Sequence, residues 1–237
     1  MVRAIVFASS KGGTGKTVLV ANIGAALARL GRKVAIIDAD VTMANLSLIT
    51  GLEGRKTTLH EVLADEAPIS KVICNGRDGL KILPMGISID GIKKADPNRL
   101  SKVVKELSRS FEILLVDSPS GMDKEAIAAL KAAQELVLII TPDIAAISNA
   151  LKLKMVAEKL GVKPIGLIIS RASGKELDLP REEISAALEL PVLGSVPEDA
   201  TVRKALALGE CIVTHSPKSR AAVEIKKLAA TISGQRT

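Results

Sequence analysis

Short apolar runs alternate with amphipathic stretches along almost the whole chain. The runs at 3–8, 33–37, 80–84, 111–116, 135–140, 164–169 and 191–196 predict buried strands. The stretches at 18–28, 58–63, 97–108, 122–133, 144–160, 181–188, 200–208 and 217–232 carry apolar residues at helical spacing, and 42–51 reads as a loop or short helix. Local chemistry punctuates the pattern. Thr58 and Glu61 have capping-box spacing, Asp96 precedes Pro97 at a first helical position, and Gly161 stops the longest helix. Strand and helix in regular alternation predict an α/β fold: a doubly wound, mostly parallel sheet with helices on both faces and right-handed crossovers. Residues 1–237 form one domain, with no linker, repeat or low-complexity stretch. In such sheets the working residues sit at the carboxyl ends of strands.

Composition sharpens this picture. Hydrophobic residues make up 47% of the chain but aromatics only 1%, so the core must be aliphatic, as in a parallel sheet covered by helices. No apolar run approaches the ~18 residues that a membrane span needs. Met1-Val2-Arg3 leads directly into a strand, so we expect no signal peptide and a cytoplasmic protein. Cys74 and Cys211 lie far apart without a CxxC pair, which argues against a sequence-local metal or cluster site. Free thiols are expected, with a meeting of one cysteine from each of two subunits left open. The net charge of +7 fits an acidic partner, DNA or anionic lipid, or equally plain solubility charge.

The chemistry centres on residues 9–17, Ser-Ser-Lys-Gly-Gly-Thr-Gly-Lys-Thr, between the first strand and the first helix. A strand, a glycine-rich turn and a helix N-terminus make a phosphate cradle, because unpaired N–H groups and the helix dipole both favour an anion there. Gly12, Gly13 and Gly15 let the backbone curl around phosphate oxygens, with Thr14 between them. Lys16 would place charge on the β- and γ-phosphates, and the Thr17 hydroxyl would ligate Mg²⁺. The strict Walker A pattern asks for glycine where Ser10 stands, but a second lysine, Lys11, sits at the mouth of the loop. Asp117 closes the apolar run 111–116, a placement suited to a carboxylate behind the magnesium waters.

Residues 11–17 resemble the signature of the deviant Walker A ATPases, the MinD/ParA family, in which two protomers sandwich two ATP molecules. The resemblance covers nearly the whole chain and implies a P-loop NTPase fold, ATP and Mg²⁺ as ligands, slow ATP hydrolysis and an ATP-dependent homodimer. It makes Lys16 the lysine acting within its own subunit and Lys11 the one reaching across to the partner's nucleotide. Asp38-Ala39-Asp40, followed by Asn45-Leu46, resembles switch I. The resemblance assigns Asp38, with Thr17 and Asp117, to the metal shell and Asp40 to orientation of the attacking water. The two carboxylates, spaced by two, would point the same way on an extended segment. Residues 117–121, Asp-Ser-Pro-Ser-Gly, resemble switch II, with Ser120 in place of the usual alanine and the Gly121 amide sensing the γ-phosphate.

The match departs from the family at the base pocket. Ser170-Arg171 stands where relatives carry Asn-Arg, so the side chain that reads adenine is shortened. Pro197-Glu198-Asp199 matches the segment lining the base, though it also reads as a proline turn before an acidic helix start. Val18 lacks the hydroxyl that relatives place against the α-phosphate, a loss of about 1.5–3 kcal/mol in nucleotide affinity. These changes predict weaker binding or slower turnover than in a standard relative.

The segments 43–48 and 58–63 look more like archaeal MinD than ParA, which implies a role in positioning or cell division through an unidentified activating protein. The alternatives are a ParA-like DNA-partitioning ATPase and a slow-hydrolysing, nucleotide-bound scaffold. The tail from His215 holds Lys218, Arg220, Lys226, Lys227 and Arg236, and its stripe Ile225, Leu228, Ala229 and Ile232 reads as a core-docking face rather than a lipid anchor. A weak contact with an anionic membrane, peripheral at its inner face, or with DNA completes the expectations.

Overall fold

The computed structural model describes residues 2–54, 56–174 and 178–234. Arg236 of the expected basic tail, and Met1, lie outside the described residues. Among the described residues the strands β1 (Arg3–Ala8), β2 (Val34–Asp38), β3 (Cys74–Asn75), β4 (Lys81–Leu83), β5 (Ile113–Asp117), β6 (Glu135–Ile140), β7 (Lys163–Ala172) and β8 (Val192–Pro197) form one sheet in the order β3-β4-β2-β5-β1-β6-β7-β8. Every pairing is parallel except β3 with β4.

The alternation of side chains across each strand splits the core in two. Ala4, Val6 and Ala8 of β1 join one apolar cluster, while Ile5 and Phe7 join the other. Leu114 and Val116 against Ile113 and Leu115 in β5 repeat this division. Helices Leu100–Leu107 and Ile144–Lys159 bury their apolar faces in the first cluster, and helices Lys16–Arg29 and Arg220–Ile232 in the second. Full burial of a Phe or Ile side chain is worth roughly 1.5–3 kcal/mol, so the central strands dominate the driving force. Gly24 lets the first helix press against β2: a Cβ there would lie 2.6 Å from Ile36 Cδ1. Ile225, Leu228, Ala229 and Ile232 are all buried, so the last helix spends its stripe on the core, as expected.

The elements differ from expectation mostly at their ends. The first helix starts at Lys16 rather than residue 18, because Gly15 already serves as its cap. The stretch 97–108 is a tight turn, Pro97–Arg99, before helix Leu100–Leu107, and Asp96 accepts from the Asn98 N–H as its cap. Helices Ile89–Lys94 and Ile212–His215 and strand β3 were not foreseen. Cys74 and Cys211 are both buried, away from any surface where a partner's cysteine could meet them, and burial pushes the Cys211 thiol up to about 12. No helix among the described residues is long and apolar enough to cross a membrane.

Candidate nucleotide site

Strands β2, β5 and β1 are neighbours in the centre of the sheet, and their carboxyl ends carry Asp38, Asp117 and the glycine loop. Asp38 and Asp117 are opposite each other in the β2–β5 register, and Phe7 pairs with Asp117 across β1–β5. Three motifs distant in sequence therefore meet on one rim, as doubly wound sheets require.

The loop is braced from several sides. Gly15 caps the first helix at φ 82°, a conformation that a residue with a Cβ adopts only under strain. The Ser9 hydroxyl donates to the Lys11 carbonyl at 3.1 Å, and the Gly121 N–H donates to the Ser9 carbonyl at 2.9 Å, tying the 117–121 segment to the loop. Ser170, at the far end of β7, is buried and donates its hydroxyl to the Thr14 carbonyl at 2.7 Å. Arg171 Nη1 donates to the Gly13 carbonyl at 3.0 Å while Nη2 pairs with Glu198 at 3.1 Å. Ser170 and Arg171 thus hold the loop's carbonyls in place.

Lys16 Nζ sits 2.5 Å from Asp117 Oδ1, with both side chains buried. Asp38 lies beside them, 1% exposed, accepting the Asp40 N–H at 3.2 Å and the Leu46 N–H at 3.4 Å. Two buried carboxylates thus share one buried lysine. Burial, and after it the Asp117 charge, push Asp38 up to about 8, while the Asp40 N–H and Lys16 pull the other way. Strand β2 ends at Asp38, the Ala39 N–H still donates across to the Asp117 carbonyl at 2.9 Å, and the chain bends only from Val41. Asp38 faces the interior, whereas Asp40 lines the cleft and accepts the Met43 N–H at 2.8 Å and the Thr42 hydroxyl at 3.4 Å.

The cleft over the loop has a volume of about 670 Å³, and Gly12, Gly13, Thr14, Gly15, Lys16, Thr17 and Val18 form its floor. Leu48 and Ile49 of helix Leu46–Thr50 and Leu206 of helix Ala200–Ala207 supply an apolar wall. The two helices meet through Gly51 and Gly209, both left-handed at φ 66° and 61°; a Cβ on Gly51 would lie 3.1 Å from the Gly209 carbonyl oxygen. A second cavity of about 230 Å³ adjoins Gly13 and Gly15 and is lined by Val18, Ser170, Arg171, Pro197, Glu198 and Asp199 among others. Asp199 spends its carboxylate on helix capping, accepting the Thr201 N–H at 2.9 Å, the Thr201 hydroxyl at 2.5 Å and the Ala221 N–H at 3.2 Å. Those bonds, the Thr201 hydroxyl first, hold it below the usual carboxylate range.

Lys11 points away from this floor. Its Nζ pairs with Asp143 Oδ2 at 3.1 Å, in the open. Asp143 also accepts the Thr141 hydroxyl at 2.6 Å and caps helix Ile144–Lys159 through the Ala146 N–H at 2.8 Å. Burial pushes Asp143 up, but these bonds and Lys11 outweigh it and hold the carboxyl below its ordinary range. Sequence reasoning missed Asp143, although Thr-Pro-Asp before an apolar helix is a cap signal that would have located it. It also missed Thr42, Asp123 and Leu206 in the cleft, which carry no motif.

The oxygen donors Thr17, Asp38 and Asp117 suit a hard divalent cation such as Mg²⁺, which keeps several waters and needs few protein ligands. At this site two buried carboxylates stand beside one buried lysine, an oxygen-rich arrangement that such a cation would complete.

Residues 5–212 match the CobQ/CobB/MinD/ParA nucleotide binding domain. An uncharacterized ATP-binding protein of Methanocaldococcus jannaschii is 44% identical over 99% of this chain and 89% of its own length. The structure of the septum site-determining protein MinD from Pyrococcus horikoshii, complexed with Mg-ADP, superposes with a TM-score of 0.95 at 36% identity, over 98% of this chain and 96% of that one. MinD of Aquifex aeolicus, in a MinC:MinD cell division protein complex, gives a TM-score of 0.89 at 30% identity, over 100% of this chain and 98% of its own.

Proposed function

The chain belongs to the CobQ/CobB/MinD/ParA nucleotide-binding family, and from that premise we propose that it is a Mg-ATP-dependent ATPase switch of the MinD type. The observation that carries this reading is the buried Lys16–Asp117 pair beside Asp38, at the floor of a cleft walled by the glycine loop. ATP is the substrate. Its triphosphate would lie along the N–H groups of Gly12 to Thr17, with the base directed to the cavity of Arg171 and Pro197. Thr17, Asp38 and Asp117 would hold Mg²⁺, whose contribution when bound is to neutralise charge on the β- and γ-phosphate oxygens. Asp40, facing the cleft and fixed by the Met43 N–H, would orient the attacking water; position and charge matter more than basicity in phosphoryl transfer. Gly121, bonded to Ser9, would transmit the presence of a γ-phosphate into switch II.

Lys11 lies outside its own cleft floor, on an exposed pair that costs little to break, which supports its action on a second copy's nucleotide. The switch would then be an ATP-dependent homodimer, read by an activating protein and working near the inner face of the cell membrane in positioning or division.

Size-exclusion chromatography with light scattering, run with Mg-ADP and with a non-hydrolysable ATP analogue, tests this reading. A monomer with the first and a dimer with the second is the expected result; a monomer in both, with no ATP turnover, overturns it. Salt-sensitive binding to duplex DNA in the ATP state would instead favour partitioning.

A further inference from the structure

His60 is fully buried, 0% exposed, in a chain with almost no aromatic residues. Its Nε2 lies 2.9 Å from the carbonyl oxygen of Val41. A carbonyl only accepts, so Nε2–H is the donor here and Nδ1 is the ring's other nitrogen. That Nδ1 is buried with no hydrogen-bond partner among the described residues. Burying a polar atom unsatisfied is unfavourable, and native proteins seldom tolerate it without compensation. The surroundings make room for the ring as well. A Cβ on Gly91 would lie 2.6 Å from Nδ1, and one on Gly86 would lie 2.9 Å from it. Both positions stay bare so that the imidazole can enter.

The ring's base is rigid. Helix Leu59–Leu63 is closed by the capping box, with the Thr58 N–H donating to Glu61 at 2.7 Å. The Leu59 N–H donates to the Pro84 carbonyl at 2.9 Å, just past β4. The recipient, by contrast, is the turn that carries Asp40. Within that turn, Asp40 takes the Met43 N–H and the Thr42 hydroxyl, bonds that keep its shape but do not fix it to the body. Asp38 pins its two ends through the Asp40 and Leu46 N–H groups, and the Ala39 N–H ties its start to the Asp117 carbonyl at 2.9 Å. His60 holds the main chain between those ends, at Val41 directly after Asp40, where the buried Val41 side chain leaves the carbonyl as the polar group to be fixed.

We propose that His60 is a positioning residue for hydrolysis: its Nε2–H, donated to the Val41 carbonyl, holds the Asp40 turn so that the carboxylate faces the cleft. This deepens the ATPase reading and rests on it. The ring touches neither the cleft nor the base cavity, so it acts on the turn and not on nucleotide affinity.

The test uses the full chain and three variants. His60→Gln offers an amide N–H near the position of Nε2; His60→Asn carries the same group one methylene too short; His60→Phe keeps a ring without a donor. Mg-ADP affinity by calorimetry, Mg-ATP turnover, and hydrogen exchange of the 41–46 segment are measured for each. The expected result is Mg-ADP affinity within about threefold for all, and kcat down roughly ten- to a hundredfold in His60→Phe and His60→Asn. His60→Gln should recover most of that rate, and exchange in 41–46 should rise only where rate falls. Unchanged exchange in His60→Asn overturns the proposal, as does His60→Gln falling with the other two. A wild-type chain that binds Mg-ATP without turnover, while exchange still follows the donor, overturns the ATPase reading and leaves the anchoring role supported.

Discussion

Lys16 and Asp117 form a pair sealed from solvent: Nζ lies 2.5 Å from Oδ1, and the side chains are 6% and 1% exposed. Asp38 is the third member, and the lysine is the cation that both carboxylates feel. Removing one partner of a buried pair leaves an uncompensated charge. Lys16→Ala should therefore cost about 3–5 kcal/mol of stability, besides abolishing nucleotide binding. Urea unfolding of both proteins without nucleotide measures the first effect, and calorimetry with Mg-ADP the second.

The raised Asp38 gives a pH signature. Its folded pKa of about 8 lies above the ordinary 3.8, so protonation favours the folded state. That contribution is complete below the ordinary value and is lost as pH rises through 8. Between pH 6 and 9 the nucleotide-free protein should lose roughly 3 kcal/mol through this group. Asp38→Asn cannot ionise, and its stability relative to wild type should rise by that amount over the same interval. Urea midpoints at the two pH values decide it. Mg-nucleotide binding should release a proton below pH 8, visible as a buffer-dependent heat.

Ser170 holds the loop by its hydroxyl. Ser170→Ala leaves the Thr14 carbonyl without that donor in a buried place, at a cost of about 1–3 kcal/mol. Thermal unfolding reads the loss, and weaker Mg-ADP binding should accompany it, because the same carbonyl belongs to the phosphate loop. At Val18 the direction reverses: Val18→Thr should tighten Mg-ATP binding by about tenfold if the hydroxyl reaches a phosphate.

Lys11 and Asp143 are both exposed, and such pairs contribute about 0–1 kcal/mol. Lys11→Ala should leave stability and Mg-ADP affinity nearly unchanged while abolishing the proposed ATP-dependent dimer. Asp143→Asn keeps a good helix cap but frees the lysine, and should lower the concentration at which the dimer forms by a few-fold. Sedimentation with a non-hydrolysable analogue separates the two.

The sheet was legible because each central strand is a short aliphatic run and each glycine turn follows one. The glycine loop, Asp38 and Asp117 were legible for the same reason: they sit where those runs stop. What escaped depends on contacts between distant segments. Helix Ile89–Lys94 buries none of its residues and has Gly91 in its interior, so no apolar stripe announced it. The capping box of Thr58 was readable, yet nothing local revealed that the next residue but one, His60, is fully buried; that depends on Gly86 and Gly91, far along the chain. The Ser170-Arg171 departure was read as a loss at the base pocket, and its bonds to Thr14 and Gly13 show a bracing role that residue type alone could not reveal.

Gly51 and Gly209 touch main chain to main chain, with no side chain between them. The gap between the walls of the cleft is therefore set by peptide geometry, a spacing that repacking of neighbouring side chains cannot adjust. A single methyl group at either position would act as a wedge, prising the Leu48 wall from the Leu206 wall and widening the nucleotide's berth before any residue that touches the nucleotide had changed.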